Sequence, residues 1–294
     1  MILKLADLDS KDRYHYLQHA IAPRPIALAS TVDAAGNVNL SPFSYFNIFS
    51  AYPPIVVFSP SRRARDKSNK HTLENVEEVK EVVINIVDHD MVQQMSLSSC
   101  EYAKGVDEFA KAGFTAVPAI MVKPPLVKES KFSFECKVLE IKSLGTEGGA
   151  GNLVIAEILV MHIDESVLDE NKKIIQEKTN QVARLGGDWY CRVTPENLFV
   201  VPKPSMEIGM GMDALPASIR NSHVFSGNDL GMLANLPVVP VIDASFDDEK
   251  LRNIIQYHGL DKEQFEIELQ QYAKSLLQEN KVQEAWQVLL NMVV

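Results

Sequence analysis

The chain has 294 residues, 46% of them apolar and 23% charged, a make-up that fits one large or two ordinary folded domains and excludes disorder as the main state. Twenty-nine Lys and Arg stand against 39 Asp and Glu, and the net charge of -10 is the wrong sign for gripping nucleic acid over a broad face. Most of the excess acid falls in residues 205–294, which marks that region as different in character.

Asp7, Asp9 and Asp12 occupy a stretch where a signal peptide needs an apolar core, and no later run approaches the ~18 apolar residues of a membrane span. Neither export nor membrane insertion is expected. His15 and His19 lie one turn apart on an amphipathic helix. Ile26–Val32 and Val38–Phe43 read as strands joined by the Gly-containing loop 33–37. Pro53-Pro54 bars a helix, and Ile55–Phe58 follows as a short buried strand. Thr72 is the expected N-cap of a helix from Leu73 to about Lys80, with a strand over Val82–Val87 behind it. Short helices are expected near Met91–Ser98 and Asp107–Ala112.

Lys131–Leu144 and Leu153–Ile163 form a long antiparallel hairpin around a Gly-rich turn. Alternation sets Leu153, Ile155, Leu159 and Met161 with Glu157 on one face, and Val154, Ala156, Ile158 and Val160 with His162 on the other. Both faces are therefore expected to be largely covered. Many short strands without strand–helix alternation favour an antiparallel barrel over a doubly wound sheet. Residues 205–246 lack periodicity. Beyond Asp247, stripes at Leu251/Ile254/Ile255, Phe265/Leu269/Tyr272/Leu276 and Ala285/Val288/Leu289 predict helices. The expected division is a barrel over 1–204 and an acidic, mostly helical extension over 205–294.

Familiar catalytic patterns are missing or misplaced. Gly209-Met-Gly211-Met-Asp-Ala214 matches the dinucleotide pattern by letter, but Pro202, Pro204 and Pro216 deny it the flanking strand and helix. There is no Walker loop and no Gly-x-Ser-x-Gly elbow. The His15/His19 pair lacks the Glu of zinc peptidases, and Asp88-His89-Asp90 reads as a solvated turn. Cys100, Cys136 and Cys191 make no Cys-x-x-Cys pattern and suit a reducing cytoplasm. What remains is a set of hydroxyls, amides and cations near strand ends: Ser41-Pro42-Phe43-Ser44, Asn47, Ser59, Ser61, Arg62 and Lys70-His71-Thr72. These groups with a helix start suit a phosphate monoester on a polyol. Ordinary Ser/Pro turns and a solvated basic loop are the alternative, and composition leaves both open.

The order of several motifs adds to this. Arg24-Pro-Ile-Ala-Leu-Ala-Ser-Thr31, Gly36-x-x-Asn39-Leu-Ser-Pro-Phe-Ser44, Asn47, Pro53-Pro54-Ile-Val-Val, Thr72-x-x-Asn75 and Val82-Val-Ile-Asn85 come first. Leu153-Val-Ile-Ala-Glu157, His162-Ile-Asp, and Arg184-Leu-Gly-Gly187 with Tyr190 follow. Together they resemble the flavin reductase-like, FMN-binding split-barrel family over residues 10–204. The resemblance implies a mainly β chain with helices, built on a six-stranded antiparallel Greek-key split barrel. It implies a homodimer with FMN near the subunit interface, FAD being left open. It further implies that Asn39, Ser41, Pro42, Phe43, Ser44 and Asn47, with Ser59, Ser61 and Arg62, run along the flavin ring and ribityl chain, and that Lys70, His71 and Thr72 approach the phosphate. Gly186, Gly187 and Tyr190 would reach the flavin from the far strand or the partner chain. The family's usual Lys-Asp-Thr is Lys70-His71-Thr72 here, so His71 either donates to the phosphate or faces solvent. NAD(P)H is the implied co-substrate, with a small molecule, free flavin or a partner protein accepting electrons. A non-catalytic FMN electron carrier or redox sensor is the alternative. The extension is expected either to brace the dimer or to cover the flavin as a lid using Met206, Met210 and Met212.

Overall fold

Asp9 opens the first helix by accepting a hydrogen bond from the Asp12 amide at 2.8 Å, and α1 runs over Ser10–Ala20 with none of its residues buried. The computed structural model describes residues 1–204 and 207–292, so Met206 lies outside the described residues. The chain divides into two units, Met1–Phe199 and Val200–Val294.

In the first unit β1 (Ala27–Val32) and β2 (Val38–Phe43) form a hairpin whose turn is organised by Asp33. The Asp33 carboxylate accepts from the amides of Ala35 and Asn37, both at 2.9 Å, while Gly36 takes the positive φ of +88° that the turn requires. Next come β3 (Phe46–Ala51), β4 (Pro54–Phe58), α2 (His71–Val79), β5 (Glu81–Ile86), α3 (Val92–Ser98) and α4 (Glu108–Ala112). The short pair β6 (Ala116–Val117) and β7 (Leu126–Val127) precedes the long hairpin of β8 (Phe132–Ser143) and β9 (Asn152–Ile163). A small ribbon of β10 (Val182–Arg184) and β11 (Tyr190–Arg192) closes the series.

The main sheet has seven antiparallel strands in the order β2-β1-β5-β8-β9-β4-β3, which corrects the expected six. The additional strand is β3, whose period-2 signal is broken by a bulge between Ile48 and Ser50. The two edge strands are consecutive in sequence and joined by Ser44-Tyr45 alone. A flat seven-stranded sheet would hold its edges about 29 Å apart, whereas three Cα steps reach at most about 11 Å. The sheet must therefore roll until its edges meet. Its interior is filled by Ala27, Ala29, Phe43, Val56, Phe58, Val82, Ile84, Val138 and Val154, and α2 closes it with Leu73 and Val76. A second cluster packs Leu28 and Leu40 against Met95 of α3 and Phe109 of α4.

Three local expectations are corrected. Thr72 lies inside α2, and Lys70 occupies the N-cap position without a capping side chain. Asp88 is no solvated turn residue: it is buried and paired with Lys131 Nζ at 3.0 Å. The β9 face that carries Glu157 is incompletely covered, with Leu159 and Met161 exposed.

The second unit is helical: α5 (Ala217–Arg220), α6 (Gly227–Ala234), α7 (Glu249–His258), α8 (Lys262–Gln278) and α9 (Val282–Leu290). Its core centres on the fully buried Trp286, with Ile219, Leu233, Leu269 and Leu289 around it. Gly209 to Ala214 has no strand before it among the described residues and ends in a single 3-10 turn over Met212–Ala214, not a strand–loop–helix.

Candidate functional site

The start of α2 brings several of the expected residues together. Leu73 and Glu74 donate back to the Lys70 carbonyl, but the amides of His71 and Thr72 have no partner among the described residues. An uncapped helix start of this kind attracts anions. Asn39, Ser41, Lys70, His71 and Thr72 line one narrow cleft here, with about 20 Å³ of open space, enough for a compact group but not for a ring. Burial, and then the neighbouring Arg63 guanidinium, hold the Lys70 ammonium below the ordinary lysine range. The same two causes in the same order hold His71 below the ordinary imidazole range.

Sequence reasoning missed the residues that fix this cleft. Glu108 on α4 is buried, and its carboxylate accepts from Asn39 Nδ2 at 2.8 Å and from the Leu40 amide at 3.0 Å. Asn39 Oδ1 in turn accepts the Thr72 hydroxyl at 2.7 Å. Thr72 thus spends its side-chain proton inside the protein, and its backbone amide is left without a partner among the described residues. Burial raises the Glu108 pKa, against the hydrogen bonds that lower it. Arg63 contributes a guanidinium pinned by Ser68 Oγ at 3.1 Å and by the Asn69 carbonyl, with Glu101 at 3.7 Å from its Nε. Nothing in the local sequence separates Arg63 from Arg62 and Arg65, and Glu108 is remote from every motif.

Ser59, Ser61 and Arg62 form the segment that follows β4. The Ser59 amide donates to the Tyr45 carbonyl at 2.8 Å, and the Arg62 amide to the Ala150 carbonyl at 2.9 Å. The turn between β8 and β9 packs closely here, since a Cβ at Gly151 would stand 2.6 Å from Ser59 Oγ. That turn is also one wall of a larger cleft of about 610 Å³, whose other wall is Arg13, Tyr14, Leu17 and Ile21, with Arg24 and Tyr45 completing it. The volume is that of an ordinary small-molecule site.

The other expected residues are distributed differently. Phe43 points into the barrel, its ring centroid 5.6 Å from that of Phe58, and Pro42 precedes it on β2. Ser44 lies in the link between the sheet edges. Asn47 is exposed on β3 and its side chain accepts from the Ile48 amide at 2.8 Å. Gly186 and Gly187 form the turn between β10 and β11, where a Cβ at Gly186 would fall 2.3 Å from the His19 ring of α1. Tyr190 sits on that ribbon beside Arg184 and lines neither cleft described above. Among the described residues, no group of three or more His, Cys, Asp or Glu could hold a metal, and no helix is long and apolar enough to cross a membrane.

Rolled antiparallel sheet, uncapped helix start and apolar cleft together point to a split-barrel protein. The sequence profile of the flavin reductase-like domain matches residues 19–178, and the chain belongs to that family. An uncharacterized protein of Aquifex aeolicus is 34% identical over 190 residues, covering 65% of this chain and 94% of the relative. Nitrilotriacetate monooxygenase component B from Bacillus cereus superposes with a TM-score of 0.64 at 28% identity, over 68% of this chain and 98% of that one. A split-barrel chain of flavin reductase type from Shewanella frigidimarina gives 0.58 at 27% identity, over 68% and 96%. The family match ends before the helical unit begins.

Proposed function

We propose that the barrel unit binds FMN and works as an NAD(P)H-dependent flavin reductase. One observation carries this reading: an uncapped helix start with Lys70 and Arg63 beside it, in a cleft that Glu101 and Glu108 also line, is followed back along the chain by Arg62, which is bonded to the Gly-rich turn walling an apolar cleft of ring size. The residues suit the cofactor. The amides of His71 and Thr72 would donate to its phosphate, and Lys70 with Arg63 would neutralise the charge. Arg62 Nε and Asn69 Oδ1, buried with no partner among the described residues, leave polar capacity beside the site. Ser59 and Ser61 would meet the ribityl hydroxyls, and Tyr14, Leu17 and Tyr45 would cover the ring.

When bound, FMN supplies the hydride acceptor, so this chain needs neither a nucleophile nor a strong acid. The chain's own task is to bind, orient and exclude water. The likeness to a monooxygenase component supports keeping a partner protein among the acceptors, beside free flavin and other small molecules. A second copy would cover Phe49, Leu139, Leu159 and Met161, exposed apolar residues that favour a homodimer. The free, exposed Cys100 suits a reducing cytoplasm.

The test is FMN titration of the purified chain followed by anaerobic addition of NADH or NADPH. Bound flavin that loses its yellow absorbance is the expected result. Bound flavin that stays oxidised would favour the carrier or sensor, and failure to bind FMN would remove both. Light scattering reads the dimer.

A further inference from the structure

The ribbon of β10 and β11 carries a site that the flavin reading does not use. Its register pairs Arg184 with Tyr190 and Val182 with Arg192. Opposed residues share a face, as do residues two apart, so all four side chains project to one side. On that side lies a separate cleft of about 510 Å³, bounded across from the ribbon by His89 and by Val92, Gln93 and Ser96 of α3. Its volume suits a ligand of nucleotide size.

The two arginines are held differently. Arg184 is fixed: its guanidinium carbon stands 4.7 Å from the Tyr190 ring centroid, and it donates to the Tyr190 hydroxyl and, at 2.5 Å, to the Gly187 carbonyl. Among the described residues Arg192 is anchored only through Nε, which donates to Asn180 Oδ1 at 2.7 Å. Among the described residues neither Nη of Arg192 has a partner, leaving a guanidinium edge oriented by its stem and free to bind. Three acids lie nearby: Asp188 lines the cleft, fully exposed and 3.9 Å from Arg184, Glu196 feels the Arg192 charge but makes no ion pair with it among the described residues, and Asp90 is occupied by Asn180 Nδ2 at 3.1 Å and Lys131 at 3.4 Å. Val92 and Val182 add apolar surface, and Gln93 and Ser96 add hydrogen-bonding groups.

We propose that this cleft takes the phosphate-bearing adenosine half of a nicotinamide nucleotide, with Arg192 as its main phosphate contact and Arg184 as the second cation. The identity of the nucleotide rests on the reductase reading above. The cleft's cations and volume do not. Such a site would explain how a chain with no dinucleotide-binding strand–loop–helix among the described residues could hold the proposed co-substrate.

Calorimetric titration of the full chain, with and without FMN, uses ADP, 2′,5′-ADP and inorganic phosphate as probes. ADP or 2′,5′-ADP should bind, and Arg192→Gln should weaken that binding about 10- to 100-fold. Asn180→Gly releases the Arg192 stem yet keeps the guanidinium and tolerates the backbone φ of +53° at that position, so it should cost only a few-fold. FMN affinity, followed separately by fluorescence quenching, should be the same in all three proteins. Absence of nucleotide binding, equal affinity in Arg192→Gln, an equal loss in Asn180→Gly, or phosphate alone binding as tightly as ADP would each overturn the proposal. Loss of FMN binding by the unaltered chain would instead strike the reductase reading.

Discussion

The two units bury different things. Among the described residues, the barrel unit buries fifteen polar or charged side chains, Asn39, Thr72, Asn85, Glu108 and Glu135 among them, whereas the helical unit buries only Asp229 and Gln270. Trp286 typifies the helical unit: fully buried in an apolar core, its indole N–H spent on the Leu233 carbonyl at 3.2 Å. Burying polar groups costs free energy unless each is paired, so networks of them fix geometry more than they add stability. The barrel unit is therefore held in part by buried polar pairings, and the helical unit mainly by apolar packing.

Substitutions can break this contrast, starting with the largest effect. Trp286→Ala should cost about 3–5 kcal/mol, read in the denaturation of the helical unit, while FMN affinity stays unchanged. Loss of flavin binding with the helical core would show that the units are not independent. Glu135→Ala should cost the barrel a similar amount, since its buried carboxylate accepts from the amides of Ile120, Met121 and Val122 and from His162 at 2.7 Å. Burial raises the Glu135 pKa, but its hydrogen bonds outweigh this and leave it below the ordinary range. Its contribution is then full above the ordinary carboxylate range and lost as pH falls through the depressed folded value. The barrel should lose stability on that acid limb, and Glu135→Gln should flatten the loss in a pH series of melts.

Smaller effects sharpen the site itself. Lys70→Ala should weaken FMN binding about 10- to 100-fold without altering the melting of the helical unit. Thr72→Val removes the bond to Asn39 and should cost about 1 kcal/mol of barrel stability, with only a few-fold change in FMN affinity, because the backbone amide is left in place. Lys67→Ala, which removes an exposed ion pair to Glu147 at 2.5 Å, should change stability by less than about 1 kcal/mol. A large effect there would mean that surface charge, not the cleft, governs the region.

Much of the barrel was legible because alternation and turn chemistry are local. The β1–β2 hairpin, the β8–β9 hairpin and the helical stripes beyond Asp247 follow from period and from Gly or Asp at the turns. The missed strand β3 is an edge strand with a bulge, and Ile48 and Phe49 on it are exposed, so neither alternation nor burial marks it. Lys70, His71 and Thr72 could be placed near a helix start because such a start is a sequence signal. Thr72 as a cap was wrong by two positions: it lies inside α2 with Lys70 at the N-cap, and its hydroxyl donates to Asn39, 33 residues away.

What the sequence determined by itself was the antiparallel character of the barrel, its helical extension and the residue types that could meet a phosphate. Each follows from periodicity or from a side chain's own chemistry. Only the tertiary structure decided that a seventh strand joins the sheet edge, that Glu108 and Arg63 organise the α2 start, and that Arg184, Tyr190 and Arg192 share one face. Such pairings depend on strand register and on chain closure between distant residues, and neither leaves a trace in the spacing along one segment.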